Sequence, residues 1–367
     1  MYDLAIVGAG PSGATLARLM GHNYKILLID KRELLEQKGR ASEKCCGGLI
    51  APDAQYMLSQ LGLGVPKKVL VGPQLFVVRT IDIQNKSERN YQRHYINIDR
   101  ELFDSWLVSL ISSSVDIRCG CLFKSYEKTA GGVRLKLNHR GKEYVEEARF
   151  LIGADGAFSK VRRQLAPQAF PQKYFAIQEW YEVEKILPYF SAIFDNDITD
   201  YYSWTIPKEE FLLVGSAIPV QFNTRRKFEL LKERLSRYGF ILGKVIKKQG
   251  CYIIRPQKVS NICLGKDNIL LIGEAAGWIS PTSAEGLSYC FRSALALAKS
   301  LGKEPGECLL NYARMTKALK INIFGKKLKA PFMYHPFIRK MVMSSGISSM
   351  KIASPQGDYE DNCNKGK

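Results

Sequence analysis

The segment SEKCCGGLIAP (residues 42–52) places two adjacent thiols, Cys45 and Cys46, before two adjacent glycines. Such a pairing suits a metal site, a redox pair, a contact on a bound cofactor, or plain packing. Two cysteines with no residue between them cannot both ligate one tetrahedral ion comfortably, and the histidines at 22, 94, 139 and 335 stand apart from one another. No metal centre is expected. A bond between the neighbouring thiols would close a strained ring. A second candidate is YSWTIP (residues 202–207), whose strand-like alternation puts Tyr202, Trp204 and Ile206 on one face. Aromatic residues crowd its surroundings, among them Trp180, Tyr181, Phe190 and Phe211. An apolar wall of this kind suits a polyene or isoprenoid chain, and equally the core of a sheet sandwich.

These residues need a scaffold, and the N-terminus announces one. DLAIVGAGPSGATLARLM reads as a short apolar strand, a glycine turn and a helix. Gly8 permits the tight turn, Gly10 lets the backbone approach a pyrophosphate, and Gly13 lets helix and strand pack closely. Phosphate charge then faces the free N–H groups of a helix N-terminus. The next strand, YKILLID, ends at Asp30, an acid placed to take a ribose hydroxyl pair. Strand, turn, helix and terminal acid together predict dinucleotide binding. Two further strand–turn units follow. RFLIGADGAFSKVRRQL (149–165) carries Asp155 in its turn. NILLIGEAAGWISPTSAEGLSYCFRSALALAKSL (268–301) carries Glu274 and then a long helix expected to start near Ala284.

In this order, the first glycine motif, the Ala-Asp-Gly turn and the late Gly-Glu-Ala-Ala-Gly strand resemble FAD-dependent oxidoreductases of the para-hydroxybenzoate hydroxylase fold. The resemblance implies FAD as cofactor, with Asp155 and Glu274 among its contacts and Glu274 standing where the family usually has Asp. It implies a helix whose first turn, at Gly286 and Leu287, aims N–H groups at the flavin, where they would stabilise negative charge on the reduced ring. HYINIDRELFDSWLVSL (94–110) is similar to the family's element with a flavin-contacting arginine, here Arg100. Three motifs resemble the geranylgeranyl reductase branch more closely: Lys44-Cys45-Cys46-Gly47-Gly48, with Cys46 at the family's cysteine; Tyr202 to Pro207, with Ile206 replacing Phe; and GWISPTSAEGLSYCFRSA. A Trp-x-Trp-x-Ile-Pro stretch also occurs in flavin-dependent halogenases, although this chain has Tyr202 in place of their first Trp. The resemblance spans residues 1 to about 310. It implies that Cys45, Cys46 and Gly48 lie along the flavin edge, with Cys46, Tyr202 and Trp204 as the catalytic candidates.

The expected fold class is therefore α/β: a Rossmann-like FAD-binding domain, an inserted and mostly antiparallel β-sheet substrate domain, and a helical C-terminus. The boundaries read as 1–70, 94–165 and 250–305 for the first, 71–93 and 166–249 for the second, and 306–367 for the third. RKFELLKERLSRYGFIL (226–242) reads as a helix of the second domain, the C-terminal helices break at Pro331 and Pro336, and the polar tail SPQGDYEDNCNKGK is expected to be disordered.

The chain has 367 residues, and its 54 Lys and Arg against 35 Asp and Glu give a net charge of +19. From Arg314 to Lys340 there are eight basic residues and no acidic one. Such a segment suits anionic lipid or an acidic electron-donor protein. No aromatic platform or nucleic-acid module accompanies it, so nucleic acid is not the expected partner. KALKINIFGKKLKAPFMYHPFIRKM (317–341), where basic and apolar residues alternate, is the candidate for peripheral membrane contact. The nine scattered cysteines fit a reducing compartment. The first strand starts at residue 2, leaving no room for a cleavable signal, so a cytoplasmic location is expected. The expected activity is reduction of C=C bonds in an apolar isoprenoid-like substrate. No second glycine fingerprint offers a dedicated NAD(P)H domain, so NAD(P)H binding transiently or a small electron-carrier protein would supply electrons. A monooxygenase or halogenase on the same fold is the alternative.

Overall fold

Strands buried on both faces need apolar side chains at every position, and four short segments meet that demand: LAIV, ILLI, FLI and ILL. In the computed structural model, which describes residues 1–35, 44–167, 171–185, 187–301 and 305–352, these segments run parallel at the centre of the first sheet. Tyr2–Val7 pairs with Ile26–Ile29 on one side and with Lys142–Gly153 on the other. Lys142–Gly153 in turn pairs with Ile269–Leu271, and Asp116–Arg118 closes the far edge. Because the four central strands run the same way, all their C-terminal ends open onto one edge, where ligands bind in open α/β sheets. The glycine turns of the sequence leave the sheet at that edge. The helices Pro11–Met20 and Leu287–Leu301 pack against each other.

The second sheet has the order Val245–Arg255, Gln172–Glu182, Phe211–Pro219, Ser203–Lys208, Tyr189–Phe194, Leu75–Asp82, Ser87–Asn97, Leu49–Ile50. Every neighbouring pair is antiparallel except Tyr189–Phe194 with Leu75–Asp82. This is the expected inserted sheet. It also recruits Leu49–Ile50 and most of Val245–Arg255, which the boundaries drawn above assign elsewhere. The helix expected at 226–242 spans Thr224–Arg237 and buries Phe228, Leu231 and Leu235. It stops early because Gly239, at φ +102°, turns the chain back, with the Phe240 N–H donating to Leu235 O.

Three helices close the described chain: Pro305–Met315, Lys317–Tyr334 and Pro336–Ser345. Pro331 does not break the second as expected. It lies in the last turn, where the lost N–H interrupts little further helix, whereas Pro336 opens the third helix at its first position. The third helix is tied to the second sheet by a buried ion pair, Arg339 Nε to Asp82 Oδ2 at 2.6 Å. Asn85 donates its backbone and side-chain N–H groups to the same carboxylate, and the guanidinium stacks 4.9 Å from the Phe194 ring. The tail expected to be disordered lies outside the described residues. Among the described residues no helix is long and apolar enough to cross a membrane. Breaking a buried pair strands a charge, so Arg339→Met is expected to lower the unfolding free energy by about 3–5 kcal/mol in urea titration. An unchanged midpoint would show that the pair does not anchor the helix.

Candidate active site

The glycine turns meet at the C-terminal edge of the first sheet. Gly8 has φ +105°, and a Cβ there would stand 2.5 Å from the Ala154 carbonyl oxygen, so the first turn is pressed against the Gly153-Ala154-Asp155 turn. On the other flank, Gly273 abuts the Ser12 side chain of the first helix. Gly13 packs on Gly8 O. Gly10 and Gly286 differ: a Cβ at Gly10 would meet only Arg32 Nη2, at 3.9 Å, and one at Gly286 would meet nothing within 4 Å. Both face open space. The last helix of the motif begins at Leu287 and not near Ala284. Ala284 takes φ +52° inside a loop closed by the Ser280 N–H donating to Glu285 O at 3.0 Å. Gly286 and Leu287 therefore stand at the helix start, where N–H groups lack intrahelical acceptors.

The two acids expected in these turns are each half-engaged. Asp155 Oδ2 accepts the Lys160 N–H at 2.7 Å and caps the helix Lys160–Leu165, while Asp155 Oδ1 is buried without a hydrogen-bond partner. Glu274 Oε1 is likewise buried and unpartnered. Burial raises the pKa of both carboxyls above the ordinary range, with Lys44 and Arg100 opposing it at Glu274.

Asp30 begins a chain of alternating charge. Its carboxylate accepts the Ala9 N–H at 2.8 Å and takes Arg32 Nε and Nη2 at 3.1 and 3.0 Å. Arg32 Nη1 reaches Asp104 Oδ2 at 2.8 Å, and Asp104 Oδ1 accepts Arg100 Nε at 2.8 Å. Arg100 Nη1 then donates to Cys46 Sγ at 3.4 Å, which the Gly48 N–H also approaches at 3.4 Å. Burial opposes ionisation of Asp104, yet Arg100, Lys44 and Arg32 together hold its carboxyl well below the usual carboxylate range. At Cys46 burial also opposes the charge, but Arg100, the Gly48 N–H and Lys44 outweigh it and lower the thiol pKa. Cys45 goes the other way: its hydrogen bond with the Cys251 thiol, then burial, raise it.

The second sheet supplies the opposite wall. Cys46 O accepts Gln178 Nε2 at 3.3 Å, Cys45 O accepts the Cys251 thiol at 3.4 Å, and a Cβ on Gly47 would stand 2.6 Å from Ile206 Cδ1. Gly48, at φ +61°, leaves just enough room for Lys208, whose Nζ donates to Gly48 O, Ile98 O and Asn97 Oδ1 at 3.0, 2.9 and 2.5 Å. Burial pushes Lys208 down to about 7, while three acceptors favour the ammonium, which alone has three N–H groups to give. Trp204 packs over Gly215, and Tyr202 packs beside Trp204 with ring centroids 5.7 Å apart. Tyr202 OH donates to Ser283 O at 2.7 Å, and burial raises that phenol well above its ordinary value. Cys45, Tyr202, Trp204 and Ile206 share one apolar cluster with Tyr174, Tyr201 and Tyr334.

The structure thus assembles the sequence candidates into one region. The glycine turns with Asp30, Asp155 and Glu274 form one side, Cys46 with Arg100 the middle, and Tyr202 with Trp204 the far wall. Sequence reasoning missed Arg32, Asp104 and Lys208. Asp104 follows Arg100 by one helical turn, so a search for paired charges at that spacing would have found it. Arg32 follows Asp30 by two residues beyond a strand, and helical spacing does not reveal it. Lys208 reads as an ordinary strand end and carried no signal. Among the described residues no group of three His, Cys, Asp or Glu side chains could hold a metal ion.

Comparisons place this geometry among known proteins. Protein CbrA of Escherichia coli O9:H4 (strain HS) is 40% identical over 347 residues, covering 95% of this chain and 94% of that protein. Protein CbrA of Shigella sonnei (strain Ss046) is also 40% identical over 347 residues, covering 95% and 97%. The chain belongs to the CbrA family. No protein-family model matches it. Among solved structures, a geranylgeranyl bacteriochlorophyll reductase-like protein from Thermoplasma acidophilum superposes with a TM-score of 0.78 at 20% identity, covering 96% of this chain and 92% of that one. The flavin-dependent brominase Bmp2 gives 0.67 at 18% identity, covering 94% and 92%. PqsL, a probable FAD-dependent monooxygenase from Pseudomonas aeruginosa, gives 0.67 at 17%, covering 94% and 99%. The CbrA family therefore has the fold of FAD-dependent oxidoreductases, shared by reductases, monooxygenases and halogenases alike.

The residues present fit FAD. Two buried carboxylate oxygens, on Asp155 and Glu274, lack donors, and the backbone at Gly10 and Gly286 fronts open space. All four acceptor positions of Asp30 are filled in this structure, two of them by the Arg32 guanidinium. A ribose hydroxyl pair at Asp30 therefore requires Arg32 to swing aside. The lowered thiol makes a direct prediction. Alkylation of Cys46 by iodoacetamide, followed by peptide mass spectrometry against pH, is expected to reach its midpoint below that of Cys45. Arg100→Met is expected to raise the Cys46 midpoint. An unmoved midpoint would remove Arg100 from the account.

Proposed function

We propose that the chain is an FAD-dependent reductase that saturates C=C bonds of an apolar, isoprenoid-like substrate, with NAD(P)H or a small electron-carrier protein as reductant. The observation that carries this reading is the position of Cys46, a thiol whose Sγ lies 3.4 Å from Arg100 Nη1 and whose carbonyl is held by Gln178 of the second sheet, between the glycine turns and the aromatic wall. When bound, FAD in its reduced form supplies hydride to one alkene carbon. The protein must then deliver a proton to the other carbon, hold the chain in place and exclude water.

Each candidate takes a distinct part. Cys46 gives the proton from Sγ, and Arg100 stabilises the thiolate left behind. Tyr202 is a poor acid, since its hydroxyl is spent on Ser283 O and its ionisation is suppressed by burial. It serves with Trp204 and Ile206 as the apolar surface against which the substrate lies. Glu274 and Asp155 would accept hydroxyls of the dinucleotide, and Gly286 and Leu287 would offer it their N–H groups. Lys208 fixes the Gly47-Gly48 backbone so that Cys46 keeps its place. The reductase-like neighbour from Thermoplasma acidophilum, with its higher TM-score, supports the reductase branch over the brominase and monooxygenase neighbours.

The purified protein is expected to be yellow. After anaerobic reduction, its flavin absorbance should return on adding a polyprenyl substrate. Cys46→Ala should slow that reoxidation about 100-fold to 1,000-fold while leaving FAD content unchanged, the range general acids commonly supply. Unaltered reoxidation in Cys46→Ala would remove the proton-donor role. Oxygen-dependent turnover yielding hydroxylated or halogenated product would select the alternative.

A further inference from the structure

The helix Lys317–Tyr334 carries two apolar stripes on opposite sides. The inner one is built from Leu319 and Ile323, both buried, and continues through half-buried Lys326, Ala330 and Tyr334. Lys326 belongs to this inner side, 3.7 Å from Asp53 Oδ2 and over the Tyr289 ring at 5.2 Å. The outer stripe is Ile321, Phe324, Leu328 and Phe332, spaced three, four and four residues apart and 62, 50, 61 and 55% exposed. The next helix extends it with Phe337 and Met341, 66 and 59% exposed. Burying one stripe satisfies an ordinary amphipathic helix. A second one, left facing solvent, requires another explanation.

The charges around the outer stripe narrow the choice. At about 100° per residue, Lys320 and Lys327 flank it on one side and Lys329 on the other. Lys317 stands near its start and Lys340 beside its extension. No carboxylate occurs between Arg314 and Lys340. A second copy pressing the same face against this one would set like charges opposite each other. A bilayer containing anionic phospholipid meets the pattern without that penalty: the apolar side chains enter the headgroup–acyl boundary, and lysine stems run along them to reach phosphate. The 18-residue helix, about 27 Å long, lies in the plane and does not span it.

We infer that the outer face of the helices Lys317–Tyr334 and Pro336–Ser345 docks the protein onto an anionic membrane surface. This surface is independent of the reaction proposed above. It also places the bilayer against the helix that closes the aromatic cluster, because Tyr334 packs on Tyr201 and Arg255 and its hydroxyl donates to Thr282 O.

The test uses the full chain and sucrose-loaded vesicles, sedimented without any assay of activity. The chain should partition onto phosphatidylcholine vesicles containing about one-third phosphatidylglycerol and bind pure phosphatidylcholine at least about 10-fold less. Lys320→Gln, Lys327→Gln and Lys329→Gln combined should reduce partition to anionic vesicles about 100-fold. Phe324→Ser with Leu328→Ser should abolish the part that survives high salt, with thermal melting unchanged. Wild-type chain remaining in the supernatant, or equal binding to both vesicle types, overturns the proposal. So does a dimer in light scattering that the Phe324 and Leu328 substitutions split while vesicle binding stays the same, since a second copy would then cover the face.

Discussion

Asp104 has no exposed surface, and its carboxylate is held ionised by the two guanidinium groups that grip it, with Lys44 adding to them. The rest of the site depends on that buried anion. Through Arg32 it is tied to Asp30 at the end of the second strand, and through Arg100 to the thiol of Cys46. Removing either arginine would leave the buried Asp104 carboxylate with less to offset its desolvation, which is costly. The chain of alternating signs therefore does two things. It fastens the helix Arg100–Ser109 to the dinucleotide edge of the first sheet, and it sets the ionisation of a cysteine on a loop belonging to neither sheet's interior.

That loop is where the two sheets communicate. Its carbonyl groups are taken by Gln178, Cys251 and Lys208 from the second sheet, while the Cys46 thiol accepts from Arg100 and from the loop's own Gly48 N–H. Two glycines make this possible: side chains at 47 and 48 would strike Ile206 and Lys208. The loop thus makes polar contacts on both sides, with Arg100 on one and with the second sheet on the other, and meets apolar surface at Ile206.

How much of this was legible beforehand follows from the kind of interaction involved. The first sheet was readable because parallel strands buried on both faces demand continuous apolar runs, and the glycine turns mark where they end. The cysteine loop and the aromatic strand were found by their residue types. Their meeting was not derivable from spacing, because residues 46 and 204 come together only through the pairing of the second sheet. Gly239 and Ala284 show the usual limit of periodicity: apolar patterns continued past both helix boundaries, and backbone conformation ended the elements. Pro331 erred in the other sense, since a proline in a last turn costs little. The charge chain escaped notice because Arg32 and Asp104, read singly, look like surface residues.

The choice of basic residue carries a further argument. The buried cations that organise the molecule are mostly arginines: Arg32 and Arg100 beside the dinucleotide edge, Arg255 against Tyr201 and Tyr334, Arg339 on Asp82. A guanidinium suits these places, being planar, permanently charged and able to serve several acceptors at once. The outer face of the C-terminal helices uses lysine instead, whose long stem covers apolar surface while its strongly hydrated head stays in water. Lys208 is the buried exception, and it lies where a wide guanidinium would not fit: one nitrogen among three oxygens, under a glycine whose Cβ, if it had one, would stand only 2.6 Å from that nitrogen. The excess of positive charge thus divides by chemistry into an internal set that builds the site and an external set that faces outward, and the second can be altered without disturbing the first.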